Sequence, residues 1–200
     1  MAQDEKESSN ISRRSIIVSA AIVPVSAITA AAQPAASALS ATQLKMLEAF
    51  VDRLIPKDEL GPGAAEAGAA NYINRCLADY LAGEKAAFIE GLDAMDAFAR
   101  RTHDRPFTEL LPGQQDLVLT AMDENTAAGF PNARAFFARV RRLTLEGMFG
   151  DPYYGGNKNF AGWDLIRYPG PRLAVSADDQ KMNTAIKPFR SSAYGSGHGH

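Results

Sequence analysis

The chain has 200 residues, of which 21 are basic and 23 are acidic, and its formal net charge is −2. This length suits one globular domain, and the nearly neutral charge excludes a polybasic nucleic-acid binder. Its single cysteine excludes a disulfide framework within the chain, a cluster on several thiolates and the Cys-x-x-Cys-His attachment of a c-type haem. The composition therefore predicts a globular protein that binds no nucleic acid.

The N-terminal segment has the pattern of a twin-arginine export signal. Arg13 and Arg14 follow a polar stretch and precede an uncharged apolar run over residues 16–28. That run is shorter than the about 20 residues that a membrane span needs. The small-x-small pattern Ala36-Ser37-Ala38 predicts cleavage after Ala38, so that residues 1–38 form a signal peptide. An uncleaved leader that anchors the protein in the membrane is the alternative.

The leader and the remainder of the chain differ in what they imply about cofactors. The twin-arginine route carries folded proteins, often with a cofactor in place. Residues 39–200 contain no Gly-x-Gly-x-x-Gly fingerprint, no Gly-x4-Gly-Lys-Ser/Thr loop and no group of cysteines. Either the protein folds too fast for the other export route, or it travels bound to a partner that carries a cofactor. We expect no flavin, haem or metal in this chain.

Residues 39–149 have the apolar spacing of an all-α domain of about five helices. Ser40 and Gln43 fit a capping box at the start of the first helix, which Pro56 ends. The other four helices are predicted over residues 64–81 with Gly83 as C-cap, over 84–101, from near Pro112, and over about 132–149. The predicted inward residues include Ile73, Cys76, Leu77, Tyr80 and Leu81 of the second helix and Leu117, Val118, Ala121 and Met122 of the fourth.

From Gly150 the composition changes to turn residues mixed with aromatics, so residues 150–200 predict a long irregular C-terminal arm. Its aromatic side chains argue against disorder, and the arm therefore wraps its own domain or a partner. A dense exposed set of aromatics is typical of an interface. The predicted partner contacts are Asp151, Tyr153, Tyr154, Gly155, Gly156, Asn157, Trp163 and Tyr168. The alternative for Trp163 is that it packs on the chain's own helices.

Outside the arm, few residues are candidates for chemistry. Cys76 lies on an apolar stripe, which indicates a buried thiol. His103 lies at a predicted helix C-terminus, where a charged imidazole favours the helix dipole. His198 and His200 are too few ligands for a metal site. The sequence thus predicts no catalytic, cofactor-binding or metal-binding residue.

The run from Gly147 to Asn157, followed by Gly162-Trp163 and Tyr168-Pro169-Gly170, resembles the gluconate 2-dehydrogenase subunit 3 family. Asp52 with Ile55-Pro56, the segment Gly63 to Gly68, and Phe107 with Leu110 and Gln114 are similar to the same family.

The resemblance implies a non-catalytic small subunit of a membrane-bound, flavin-dependent sugar or sugar-acid dehydrogenase. It implies FAD in a separate large subunit, haem c in a multihaem cytochrome subunit, and a place in the periplasm at the outer face of the inner membrane. The small subunit then carries the export signal to the twin-arginine translocase for the flavoprotein as well. Two other hypotheses remain: a free-standing periplasmic domain that binds a small polar ligand through Gly155-Gly156-Asn157 and Trp163, and a membrane-tethered structural protein.

Overall fold

The computed structural model describes residues 37–172, 174–182 and 186–195. In these ranges the chain forms α-helices and no strand, which confirms the all-α prediction. Arg13 and Arg14 of the predicted leader, and His198 and His200, lie outside the described residues. The helices are α1 (Ala41–Leu54), α2 (Ala69–Ala78), α3 (Lys85–His103), α4 (Pro112–Asp123), α5 (Ala133–Phe149) and α6 (Ala161–Leu165). Short 3₁₀ helices lie at Ala82–Glu84, Phe107–Glu109, Pro152–Tyr154 and Lys158–Phe160.

α5 is the central helix of the core, and it packs against α1, α2, α3, α4 and α6. Its Val140, Leu143 and Met148 side chains are fully buried. The Phe136 ring of α5 contacts a cluster of phenylalanines from neighbouring elements, with its centroid 5.3 Å from that of Phe88 in an edge-to-face pair. Such pairs add about 0.5–1.5 kcal/mol to the free energy gained by burial alone. Apolar side chains at helical spacing therefore hold this part of the molecule together.

The start of α1 is capped as the sequence predicts. The Ser40 hydroxyl oxygen accepts a hydrogen bond from the Gln43 backbone N–H at 3.3 Å, and the Gln43 side-chain oxygen accepts one from the Ser40 N–H at 3.0 Å. These two bonds confirm the capping box and fix the first residue of α1.

α2 is shorter than its predicted span of 64–81. Gly68 has φ +78°, a left-handed conformation that a helix does not contain, so α2 begins after it. Residues 64–67 form a turn in which the Ala67 N–H donates to the Gly63 carbonyl. At the other end the Leu81 N–H donates to the Cys76 carbonyl, and the chain tightens into the Ala82–Glu84 3₁₀ helix. Gly83 therefore lies inside that short helix and does not cap α2.

Two predicted inward residues, Tyr80 and Leu117, are exposed, so these predictions are wrong. Tyr80 lies beyond the end of α2 and thus leaves its apolar stripe. α4 instead turns Gln115, Val118, Leu119 and Met122 toward the core. The Gln115 amide donates to the Phe107 carbonyl at 3.0 Å, which lets a polar residue take an inward position.

Candidate functional site

Residues 150–172, which we call the aromatic segment, fold back over the end of α5. The segment contains two of the 3₁₀ helices and α6, where the sequence predicts no helix. The Asn157 N–H donates to the Gly147 carbonyl of α5 at 2.7 Å, and the Lys158 N–H donates to the Ala67 carbonyl before α2 at 2.9 Å. Main-chain hydrogen bonds therefore join the segment to two separate parts of the helical domain.

Asn157 is the centre of this attachment. Asn157 is 0% exposed, and its side-chain amide donates to the Gly150 carbonyl at 2.8 Å. Its side-chain oxygen accepts a hydrogen bond from the Gly162 N–H at 2.8 Å. One side chain thus ties the residue that follows α5 to the first turn of α6, and both ends of its amide are used within the chain.

Two glycines let the segment lie directly on the α5 backbone. A Cβ atom at Gly156 would lie 2.0 Å from the Gly147 carbonyl oxygen, and one at Gly162 would lie 1.9 Å from the Met148 carbonyl oxygen. Both distances are far below van der Waals contact, so any larger residue displaces the backbone. Gly155, which ends the Pro152–Tyr154 turn, lies against the guanidinium of Arg75. The glycines of the sequence motif thus serve the contact between two parts of this chain.

Trp163 is 6% exposed, and its indole N–H donates to the Phe149 carbonyl at 2.9 Å. Its ring lies edge-to-face against that of Tyr168 with the centroids 4.9 Å apart, and 5.5 Å from that of Phe160. Trp163 therefore occupies a place within its own chain in this conformation. Its predicted contact with a partner stays a prediction.

Four exposed tyrosines form what we call the tyrosine surface: Tyr153, Tyr154, Tyr168 and Tyr194. Tyr154 is 46% exposed and Tyr194 59%, and the Tyr154 hydroxyl donates to that of Tyr194 at 3.0 Å. This hydrogen bond raises the pKa of Tyr154. The Tyr153 and Tyr194 rings lie 4.9 Å apart. The structure thus places three predicted contact residues, Tyr153, Tyr154 and Tyr168, on one surface and adds Tyr194, which the sequence does not predict.

Asp151 fixes the backbone at two positions of the tyrosine surface. Its two carboxylate oxygens accept hydrogen bonds from the Tyr153 N–H at 2.9 Å and from the Ala193 N–H at 2.8 Å. The second bond positions Tyr194, which follows Ala193. Because Tyr194 lies among small polar residues near the end of the chain, its own neighbourhood in the sequence contains no signal for this contact.

A cavity of about 450 Å³ opens beside the tyrosine surface. The rings of Tyr154, Trp163, Tyr168 and Tyr194 line it, together with Asp151. Such a mostly aromatic lining with one carboxylate suits either an apolar side chain of another protein or a small ligand.

The other two residues that the sequence identifies as candidates for chemistry, Cys76 and His103, lie on helices α2 and α3. Cys76 is buried on α2, and burial raises the pKa of its thiol, which disfavours the thiolate that nucleophilic chemistry requires. His103 is the last residue of α3. Among the residues that the structure describes, no three His, Cys, Asp or Glu side chains are grouped to hold a metal ion. Within the same ranges, no helix is both long and apolar enough to cross a membrane.

The profile of one protein family, described as gluconate 2-dehydrogenase subunit 3, matches residues 41–170. The match runs from the first residue of α1 through the aromatic segment to Gly170, and it leaves out the predicted leader and Tyr194. No curated protein and no solved structure matches the chain. Because the family profile matches more than half of its 200 residues, the chain belongs to the gluconate 2-dehydrogenase subunit 3 family.

Proposed function

We propose that this chain is the non-catalytic small subunit of a membrane-bound, flavin-dependent sugar or sugar-acid dehydrogenase. Family membership over residues 41–170 carries the proposal, since the family is that of a subunit and therefore implies partner subunits. In this proposal the FAD belongs to a separate large subunit, and electrons leave through a multihaem cytochrome c subunit. The small subunit stabilises the flavoprotein and brings it across the membrane.

The tyrosine surface is the proposed contact with the large subunit. Tyrosine is enriched at the centres of protein interfaces, where a single aromatic anchor commonly contributes 2 kcal/mol or more. The mutual contacts of Tyr153, Tyr154 and Tyr194 and the hydrogen bonds of Asp151 order these rings before binding. A surface that is already ordered loses less conformational entropy on association.

In this proposal the other predicted contact residues affect the partner indirectly, because they position the tyrosine surface. Asn157, Gly156 and Trp163 fix the aromatic segment on α5, and Gly155 ends the turn that presents Tyr153 and Tyr154. They influence the partner through the position of the tyrosines. We therefore expect substitutions at Asn157 or Trp163 to lower the stability of the subunit, and substitutions at Tyr154 or Tyr194 to weaken its assembly with the large subunit.

Export through the twin-arginine translocase is the second part of the proposal. Its support is the order of charged, apolar and small residues around Arg13 and Arg14. The assembled enzyme then works in the periplasm, at the outer face of the inner membrane. A leader on the small subunit serves both chains, because the twin-arginine route carries folded complexes.

The test replaces both arginines by lysine, which keeps the charge and removes the guanidinium groups. We expect dye-linked dehydrogenase activity to remain in the cytoplasm or to disappear in cells that produce Arg13→Lys/Arg14→Lys. The control is Lys6→Arg, a charge-preserving change in the polar stretch before the arginine pair. The subunit is also purified from the double-variant and the control strains, and bound flavoprotein is measured by flavin absorbance and bound cytochrome by haem absorbance. Unchanged periplasmic activity in the double variant contradicts the export role, and a subunit that never retains a flavoprotein contradicts the assembly role.

The cavity beside the tyrosine surface favours a second candidate, a periplasmic domain that binds a small ligand. Its volume of about 450 Å³ and its aromatic lining fall within the range of small-molecule sites. Thermal unfolding of the lone subunit with gluconate and related sugar acids separates the candidates, because a bound ligand raises the Tm by mass action. The subunit proposal expects no change in Tm.

A further inference from the structure

Residues 37–39 are folded against α2 by a single side chain. The Asn74 side-chain oxygen accepts hydrogen bonds from the backbone N–H groups of Ala38 and Leu39, each at 3.0 Å. The Asn74 amide nitrogen donates to the Ser37 hydroxyl at 3.1 Å, and this hydroxyl donates to the Leu39 carbonyl at 2.6 Å. Asn74 thus binds three consecutive residues, and we call this arrangement the Asn74 latch.

The latch holds buried residues. Ala38 is 7% and Leu39 4% exposed, and both belong to the hydrophobic core. The next residue, Ser40, caps α1, so the chain turns into a helix directly after Leu39. Leu39 and Leu44 occupy the two positions of a hydrophobic staple, the residue before the cap and the fourth residue of the helix.

These contacts bear on the predicted cleavage after Ala38. Proteolysis concentrates at exposed chain, and an extended substrate pairs its free backbone groups with the protein that binds it. At the Ala38–Leu39 bond, the N–H groups of both residues are already bound to Asn74, and both residues are buried. A protein exported in its folded state presents this bond to a peptidase in the latched form.

We propose that the Ala38–Leu39 bond is not the processing site and that residues 37–39 stay in the mature subunit, where the Asn74 latch closes the N-terminal end of the helical domain. The proposal rests on the proposed export of the chain. It moves processing upstream of Ser37, where Ala30-Ala31-Ala32 supplies another small-x-small pattern whose use leaves the latch whole. An uncleaved leader leaves it whole as well.

The first test is the intact mass of the subunit recovered from the periplasm. A first residue at Ser37 or at any position before it supports the proposal, whereas a first residue at Ala38 or Leu39 overturns it. If no subunit reaches the periplasm, the proposed export is contradicted. The second test, which needs no export, then still tests the Asn74 latch.

The second test digests the full chain with an elastase, which cuts after small residues such as alanine. The variant is Asn74→Ala, and the matched control is Asn71→Ala, an exposed asparagine of the same helix whose side chain forms no hydrogen bond within the described residues. We expect cleavage after Ala38 to be about tenfold faster in Asn74→Ala than in the wild type or the control, which corresponds to about 1.4 kcal/mol of lost protection. Equal rates in all three proteins overturn the latch.

Far-UV circular dichroism at the digestion temperature checks that Asn74→Ala is folded. If it is not, two wild-type chains that begin at Gln33 and at Leu39 are compared instead. We expect the shorter chain to melt about 2–6 °C lower, because it loses the bonds of Ser37 and Ala38 with Asn74. Equal melting temperatures would falsify the latch.

Discussion

α5 contributes to two regions of the molecule in different ways. Toward the helical domain it presents apolar side chains such as Val140 and Leu143, which are buried among those of α1 to α4. Toward the aromatic segment it presents main-chain carbonyls near its C-terminus. The last four carbonyl groups of a helix have no hydrogen-bond partner within that helix. The Gly147 and Phe149 carbonyls of that last turn accept hydrogen bonds from the segment. The segment therefore acts as the C-terminal cap of the central helix.

Because of this difference, the contacts in the helical core should tolerate substitution better than the contacts between α5 and the aromatic segment. An apolar core accepts substitutions that conserve volume at a cost of less than about 1.5 kcal/mol, because neighbouring side chains can repack. A backbone carbonyl that touches a glycine cannot repack, and a buried amide that loses its partner leaves unsatisfied groups. We therefore expect single changes in the aromatic segment to detach it while the helical domain stays folded.

The largest effect is expected for Gly162→Ala. The added methyl group would lie 1.9 Å from the Met148 carbonyl oxygen, so the segment has to leave α5. We expect a loss of about 5 kcal/mol or more in the free energy of docking, because no side chain can move to relieve an overlap with a backbone carbonyl. Trp163 is the single tryptophan of the chain, and its fluorescence emission should shift to longer wavelength as it meets water. The helical signal in far-UV circular dichroism should remain.

The control for this change is Gly113→Ala in α4. A Cβ atom at Gly113 meets nothing within 4 Å, so alanine adds helix propensity without a clash. We expect unchanged Trp163 emission and a gain of up to about 1 kcal/mol. A Gly162→Ala protein with wild-type emission and wild-type Tm contradicts the contact between the segment and α5.

Trp163→Ala is expected to have the next largest effect. It removes a buried ring and its hydrogen bond to Phe149, at a cost of about 3–5 kcal/mol in the unfolding free energy of the lone subunit. Trp163→Phe keeps most of the ring and loses the indole N–H, so about 1–2 kcal/mol is expected for it. Denaturant unfolding of both variants measures the difference. A Trp163→Ala subunit that is as stable as the wild type but binds the flavoprotein weakly places the indole at the partner interface instead.

Asn157→Ala tests the hydrogen bonds apart from the aromatic packing. The change leaves the Gly150 carbonyl and the Gly162 N–H without their partners, and we expect a loss of about 2–4 kcal/mol. The matched control is Asn159→Ala, because Asn159 also has a positive φ but is exposed, and its side chain forms no hydrogen bond within the described residues. The difference in Tm between the two variants measures the side-chain bonds of Asn157. Equal losses would assign the whole effect to the backbone conformation.

The same contrast explains how far the sequence predicts the fold. Helical periodicity and the Ser40 capping box place α1, α3 and α5 close to their observed bounds, and Pro112 marks the start of α4. The sequence predicts too early a start for α2, because the left-handed Gly68 interrupts an alanine-rich run that has high helix propensity throughout. α6 spans Ala161–Leu165, which is too short to produce a periodic apolar pattern.

The candidate site was only partly predictable, for a different physical reason. The sequence identifies Gly155, Gly156, Asn157 and Trp163 as an unusual set, but a glycine does not specify which backbone approaches it. The structure assigns that role to α5 of the same chain at Gly156. The sequence does not predict Tyr194, because its contact with Tyr154 joins residues that are 40 positions apart without any repeating pattern.

The tyrosine surface is expected to contribute least to the stability of the lone subunit, and this sharpens the contrast further. Tyr154 and Tyr194 are exposed, and they share one hydrogen bond and aromatic contacts with each other and with Tyr153, so Tyr154→Ala/Tyr194→Ala should lower the unfolding free energy by about 1–2 kcal/mol. If these rings anchor the large subunit, the Kd of the complex should rise by about tenfold for each 1.4 kcal/mol of contact energy lost. Leu117→Ala, which truncates an exposed apolar side chain on α4, is the control and should change neither quantity. Calorimetric titration of purified large subunit with each variant measures the Kd directly. A double variant that binds as tightly as the wild type moves the interface away from the tyrosine surface, while the aromatic segment keeps its role as the cap of α5.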